Sequence, residues 1–249
     1  CFELARKKQA DIVFLSTSRV YPIENINALK FKETESRFEL KNDQIFPGVS
    51  SNGISEIFPL EGARTLYGAT KLCSELILQE YEAMYGVRGI INRCGVITGP
   101  WQMGKIDQGF VVHWIARHIF GGKLDYFGYG GHGKQVRDLL HINDFYRLLT
   151  LQLEDFDQYN GQIFNVGGGY GVSLSLKELT DLCRNASGNK FEIGSVVEKR
   201  EGDIPIYLTD CSKITKNSGW SPLYTPENIV DEITRWVLDN KEFLEPILD

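Results

Sequence analysis

Apolar positions change their period several times along the chain, and each change marks an element. Residues 1–9 resemble the last turns of an amphipathic helix. Asp11-Ile-Val-Phe-Leu15 is then a continuous apolar run of strand length, the pattern of a strand covered on both faces. Residues 21–62 are polar and rich in turn formers. From there the period lengthens. Residues 66–85 fit a long helix with Leu72, Leu76 and Tyr81 among its buried positions, stopped by Gly86. Val87-Arg-Gly-Ile-Ile91 gives the next strand. Strand, helix, strand is the order of a parallel sheet with crossover helices.

Further helices fit residues 109–120, 142–154, 174–184 and 226–240, with short strands at 124–127, 162–166 and 191–197. The stretch 138–171 again reads as helix then apolar strand, so the chain is expected to return to the main sheet there. The fold class is α/β, a doubly wound parallel sheet with a smaller lobe. Residues 1–102 are assigned to the sheet domain, with 138–187 returning to it, and 103–137 and 188–249 mainly to the lobe.

Composition narrows the function classes. Among 249 residues the net charge is −6, with both signs mixed along the chain, which argues against a nucleic-acid partner. No apolar run reaches the roughly 18 residues of a membrane span, and no signal-peptide pattern opens the chain. Cys1, Cys73, Cys94, Cys183 and Cys211 are scattered and odd in number, as expected of reduced thiols in the cytoplasm. Four unclustered histidines argue against a metal site. In a reducing compartment Asn185-Ala-Ser187 is a chance glycosylation tripeptide.

Tyr67-Gly-Ala-Thr-Lys71 opens the long helix and carries the candidate chemistry. Four residues apart, Tyr67 and Lys71 share one helix face. A tyrosine hydroxyl titrates at about pH 10 and is by itself a poor base at neutral pH. A neighbouring ammonium, and the positive charge of an oxidised nicotinamide, stabilise the phenolate. Such a phenolate can take a proton from a substrate hydroxyl while hydride leaves its carbon. The buried strand ends in Ser16-Thr-Ser-Arg-Val-Tyr21, hydroxyls at the carboxyl edge of a parallel sheet, where ligands bind. Alone, Ser16 and Thr17 would be read as satisfying backbone groups at a strand end. Beside Tyr67 and Lys71, one of them can bond the same substrate oxygen.

With these residues the chain resembles the extended short-chain dehydrogenase/reductases, the NAD-dependent sugar epimerases and dehydratases. That resemblance implies an N-terminal Rossmann domain and a C-terminal substrate-binding lobe. It implies Thr17, Tyr67 and Lys71 as the catalytic group, and Ser16, Tyr67, Lys71, Arg93 and Cys94 as contacts of NAD. Arg93-Cys-Gly-Val-Ile-Thr-Gly-Pro100 resembles the segment between nicotinamide and sugar. Gly133-Lys-Gln-Val-Arg-Asp138 and Arg200-Glu-Gly-Asp203 resemble the two nucleotide-diphosphate segments, so Ser18, Val96, Gln108, Arg137, Arg200 and Asp203 are the implied substrate contacts. Guanidinium groups suit phosphate because they bind its oxygens bidentately. Asp203 is implied for the ribose hydroxyls. Gly219-Trp-Ser-Pro222 is also typical of the family. A homo-oligomer, dimer or tetramer, is expected on the same grounds.

A dinucleotide fold also needs a glycine-rich turn where pyrophosphate meets a helix N-terminus. Gly167-Gly-Gly-Tyr-Gly171 lacks the third glycine at the required spacing and reads as a strand-to-helix turn, and Gly130, Gly131 and Gly133 read as a tight turn. In the family that turn would lie about a hundred residues before Cys1. The segment is therefore expected to be N-terminally truncated, and by itself to fold poorly and be inactive.

Thr17 is followed by Ser18-Arg19, where sugar-nucleotide 4,6-dehydratases carry Asp-Glu as acid and base for loss of water. Epimerisation needs no such pair. Ser16-Thr-x-x-Val-Tyr21, Asp107-Gln-Gly-Phe110, Gly133-Lys-Gln-Val-Arg-Asp-Leu-Leu-His141, Asn165-Val-Gly-Gly and Ser173-Leu-Ser-Leu176 resemble the branch that inverts C2 of CDP-3,6-dideoxyhexoses. Val96 stands where UDP-galactose 4-epimerases carry a sugar-contacting Asn, which weakens that alternative, a UDP-sugar 4-epimerase or other nucleotide-sugar oxidoreductase. A noncatalytic NAD-binding relative, sensor or scaffold, is the alternative from another class. A role in making sugars for a surface polysaccharide is the implied setting.

Overall fold

The computed structural model describes residues 1–105 and 108–248. Three parallel strands, Ile12–Thr17, Gly89–Cys94 and Gln162–Val166, form one sheet with Gly89–Cys94 in the centre. A second sheet is built on Val136–His141, which pairs in parallel with Val96–Thr98 and Ile206–Tyr207 and antiparallel with Ser173–Ser175. The helix Leu66–Tyr85 crosses between the first two strands of the main sheet, and Ile142–Glu154 packs below the second sheet and leads back to the main one. This is the α/β, parallel-sheet class expected from the sequence.

Three of the longer helices start on side-chain caps. Thr65 caps Leu66–Tyr85 through the amide of Gly68, and Gly86, at φ 67, ends it in the left-handed region. Ser175 with Glu178 and Thr225 with Asn228 form reciprocal caps on Leu176–Ser187 and Pro226–Asp239. Together with Phe110–Phe120, these last two enclose an apolar cluster of Val112, Ile115, Leu179, Ile229, Ile233 and Val237. That cluster is the interior of the lobe.

Several expectations need correction. Leu76 points to solvent at 55% exposed, and the covered positions of its helix are Gly68, Glu75 and Leu78. The helix seats on the sheet through a buried carboxylate, which an apolar pattern does not reveal. For a related reason the strand expected at 87–91 lies at Gly89–Cys94. Its second half is polar but buried: Asn92 exchanges two hydrogen bonds with Gln152, at 2.7 and 3.0 Å, and Arg93 pairs with Glu75. Residues 21–62 are not a polar connection. They contain the helix Ile23–Asn27, the hairpin Phe31–Glu33 with Phe38–Leu40, and a core of Tyr21, Ile26, Leu29, Phe38, Ile54 and Phe58. The helix expected at 142–154 is Ile142–Glu154, preceded by the strand Val136–His141, whereas residues 174–175, expected in a helix, close the strand Ser173–Ser175 ahead of it. The helices Ser212–Ser218 and Lys241–Leu248 add to those expected from the sequence.

Candidate active site

The strand Ile12–Thr17 lies at the edge of its sheet and delivers Thr17 at its carboxyl end, where the chain turns into one 3-10 turn, Ser18–Val20. Thr17 is buried, and its Oγ1 accepts from the Arg19 amide at 3.2 Å. The first turn of Leu66–Tyr85 packs on that same 3-10 turn. What allows the approach is Gly68, since a Cβ there would collide with the carbonyl oxygen of Arg19. The glycine between Tyr67 and Lys71 is thus a packing requirement, and it brings the helix face bearing both residues to the end of the strand.

Lys71 sits one turn on. Its Nζ donates to the Leu15 carbonyl at 2.7 Å and stands 6.0 Å from the centre of the Tyr67 ring. Tyr67 itself is 55% exposed, and among the described residues its hydroxyl bonds to no protein group. An ammonium fixed beside a free phenol, on a helix packed at the strand end that carries Thr17, is an arrangement able to move a proton on and off a substrate oxygen. Gly68→Ala should therefore cut turnover by about a hundredfold, because a helix pushed back by the order of 1 Å misplaces the reacting groups. Steady-state kinetics against unchanged far-UV circular dichroism checks this.

The other implied cofactor contacts face inward. The Ser16 hydroxyl donates to Glu75, and Arg93 is held by Glu75 and by the Tyr21 hydroxyl. Burial opposes the charge of Arg93, but Glu75 outweighs it and keeps the guanidinium firmly cationic. Cys94 is covered, and burial pushes its thiol up to about 12. It is therefore a neutral packing residue whose side chain has no ionised form to offer near neutral pH.

Four of the implied substrate contacts come together. Val96, Arg137, Arg200 and Asp203 line one cavity of about 370 Å³, together with Arg19, Phe127 and Trp114. Arg137 donates to Asp203 at 3.2 Å and to the Ile204 carbonyl at 2.8 Å, and Arg200 lies 3.9 Å over the Phe127 ring. Burial brings Arg137 down to about 10, so it remains a cation at neutral pH. The cavity therefore gathers three guanidiniums, of Arg19, Arg137 and Arg200, together with aromatic and aliphatic side chains. Ser18 lies beside it, in a smaller cavity of about 50 Å³ that shares Arg19, Val96 and Arg137 with the first and reaches Thr65. Gln108 is not brought in. It is exposed and bridges to Lys105, and Asp107 lies outside the described residues. Nothing in the spacing of Arg19, Phe127 and Trp114 marks them in the sequence as a ligand wall.

Neither glycine cluster makes a phosphate cradle. Gly128-Tyr-Gly-Gly-His-Gly133 follows the strand Asp125–Phe127 but leads into another strand, Val136–His141, with no helix N-terminus to meet an anion. Gly167 and Gly168 are small because they pack tightly: a Cβ would strike Asp138 and Thr209 at the first and the Leu139 carbonyl at the second.

A family model described as NAD dependent epimerase/dehydratase family matches residues 1–167. Among curated proteins, a CDP-paratose 2-epimerase of Salmonella typhi is 29% identical over 229 residues, 91% of this chain and 64% of that protein. A dTDP-glucose 4,6-dehydratase of Streptomyces antibioticus is 24% identical over 208 residues, 84% of this chain and 59% of that one. The chain thus spans less than two thirds of the length of these relatives. Among solved structures, a double mutant of a dTDP-glucose 4,6-dehydratase from Streptomyces venezuelae, with NAD bound, superposes with a TM-score of 0.75 at 25% identity, over 99% of this chain and 66% of that one.

Proposed function

This chain belongs to the NAD-dependent epimerase/dehydratase family, and on that premise we propose that it supplies the catalytic group and the nucleotide pocket of an NAD-dependent nucleotide-sugar epimerase. The observation that carries the reading is the pairing of Tyr67 and Lys71 with Thr17 at the carboxyl end of an edge strand. The cavity that gathers Arg19, Arg137 and Arg200 supports it as the nucleotide side. Residues 1–102 with 138–172 are assigned to the cofactor side, and 103–137 with 188–249 mainly to the substrate side, whose interior the helix Leu176–Ser187 shares.

The residues present fit the nicotinamide end of NAD. Beside the edge strand, Leu15 is 41% exposed, Tyr67 is open and Lys71 holds its ammonium at the strand carbonyl. When bound, NAD supplies reversible hydride acceptance. Lys71 neutralises the phenolate of Tyr67 and reaches the nicotinamide ribose. Tyr67 takes the proton from the sugar hydroxyl and later returns it, and Thr17 bonds the same oxygen throughout. Arg137 and Arg200 hold the diphosphate, with Asp203 toward the ribose.

For the sugar we propose a CDP-3,6-dideoxyhexose epimerised at C2. Ser18-Arg19 after Thr17 offers no carboxylic acid for dehydration, and identity is highest to the CDP-paratose 2-epimerase among the relatives above. The test is to incubate the intact protein with CDP-paratose, CDP-tyvelose and UDP-glucose and follow the sugar protons by NMR. Interconversion of the first two supports the reading, and turnover of UDP-glucose alone replaces it with 4-epimerisation. Arg137→Met should weaken binding of CDP by about 10- to 100-fold in calorimetry, the worth of a charged hydrogen-bonded contact. An unchanged affinity would remove Arg137 from the diphosphate site.

A further inference from the structure

Glu75 stands one helical turn beyond Lys71 and two beyond Tyr67, on the same face of the same helix. It is 1% exposed. Its carboxylate accepts from the Ser16 hydroxyl and from Arg93, at 2.7 Å from Nη2 and 3.1 Å from Nε to each oxygen. Ser16 and Arg93 are register partners on adjacent strands, so one carboxylate ties the helix to both. Arg93 continues the network to the Tyr21 hydroxyl at 3.2 Å, which donates to Asn165 Oδ1 at 2.8 Å on the third strand. Burial raises the Tyr21 hydroxyl above its ordinary value, so it stays protonated as that donor.

A buried ion pair is a poor way to add stability, because apolar side chains of the same volume hold elements together without desolvating a charge. What bidentate, charged hydrogen bonds add is direction. Direction is needed at one place in this helix–sheet contact, the strand end at Thr17. Three positions on one helix face grip it: Gly68 against the Arg19 carbonyl, Lys71 on the Leu15 carbonyl and Glu75 on the Ser16 hydroxyl. Thr17 is bracketed by residues held from the helix that carries Tyr67.

We propose that Glu75 is a positioning residue that, by clamping Ser16, holds the hydroxyl of Thr17 in register with Tyr67. The proposal rests on the catalytic reading of Thr17 and Tyr67, and its test separates the two. Ser16→Ala in the intact protein deletes the clamp and leaves the Glu75–Arg93 pair in place. The first measurement is the rate at which a nucleotide sugar reduces the bound NAD, which reports hydride removal whatever the product. We expect a loss of about tenfold at saturation with KM changed by less than about twofold. Ser16→Thr, which keeps a hydroxyl, recovers the rate, and in a Thr17→Val background Ser16→Ala adds little, the coupling expected of two groups acting as one. Losses that simply add would reduce Glu75 to a structural tie. The second measurement is amide hydrogen exchange over residues 16–20, which should quicken in Ser16→Ala and in Glu75→Gln while 89–94 stay protected. Unchanged exchange in both variants overturns the clamp. If the wild type reduces no NAD with any nucleotide sugar, the catalytic reading fails, and exchange alone still decides whether Glu75 holds the strand end.

Discussion

Replacement of Tyr67 by Phe is expected to lower turnover by about 10²- to 10⁴-fold, the contribution of a positioned proton-transfer group. Nucleotide binding and the thermal transition should stay near wild type. The second half of this expectation comes from the structure. The Tyr67 ring is 55% exposed and its hydroxyl has no protein partner among the described residues, so removing one oxygen leaves no buried group unsatisfied. Surface changes of this kind shift stability by less than about 0.5 kcal/mol. Lys71 keeps its bond to Leu15 in the variant, and the cavity of Arg137 and Arg200 does not include Tyr67. Steady-state kinetics, calorimetry with CDP and a melting curve on the same preparation check all three. Epimerisation at the wild-type rate would sink the mechanism, because the proton would then be moved by another group.

What the sequence made legible follows the kind of force involved. Tyr67 and Lys71 are legible because the helix around them has ordinary local signals, Thr65 at its start and Gly86 at its end, and the span 66–85 expected from the sequence is the helix observed. The strand Gln162–Val166 was equally plain as an apolar run between turn residues. The errors gather where a polar group is buried. Glu75, Asn92 and Arg93 look like surface residues in the sequence, and only their partners, 18 and 60 positions away, make them interior. Hence the apolar pattern places Leu76 on the wrong face and ends the central strand too early. The same rule governs the candidate site. Arg137 and Arg200 carry an obvious anion chemistry, but that Arg19 and Phe127 join them depends on a turn and a short strand from distant parts of the chain.

Trp220 shows the converse, a residue whose motif was visible and whose role was not. The run Gly219-Trp-Ser-Pro222 follows a helix of seven residues, and Gly219, at φ 70, ends that helix and turns the chain inward. The indole is 1% exposed among Phe145, Leu148, Phe164 and Ile214, and its Nε1 donates to the Asp144 carbonyl at 3.0 Å. Asp144, itself fully buried, accepts from the amides of Leu223 and Tyr224 at 2.9 and 3.0 Å and pairs with Arg147 at 2.7 Å. The run thus fastens residues 219–224 to the start of Ile142–Glu154, the helix that follows the Arg137 strand. Trp220→Ala should cost about 3–5 kcal/mol, the range for deleting a large buried aromatic side chain. At roughly 2–4 °C per kcal/mol for a chain of this size, the melting temperature should fall by about 6–20 °C. Trp220→Phe, which refills most of the space and loses the donor, should cost about 1–3 kcal/mol through the volume lost and the unmade bond. Differential scanning calorimetry on the intact protein measures both. Because Tyr67 and Lys71 sit on a different helix, the molecules still folded at 20 °C should keep their turnover per active site. A loss of turnover larger than the loss of folded protein would mean that Asp144 and Trp220 reach the candidate site through the Val136–His141 strand, and that the two sheets do not act independently.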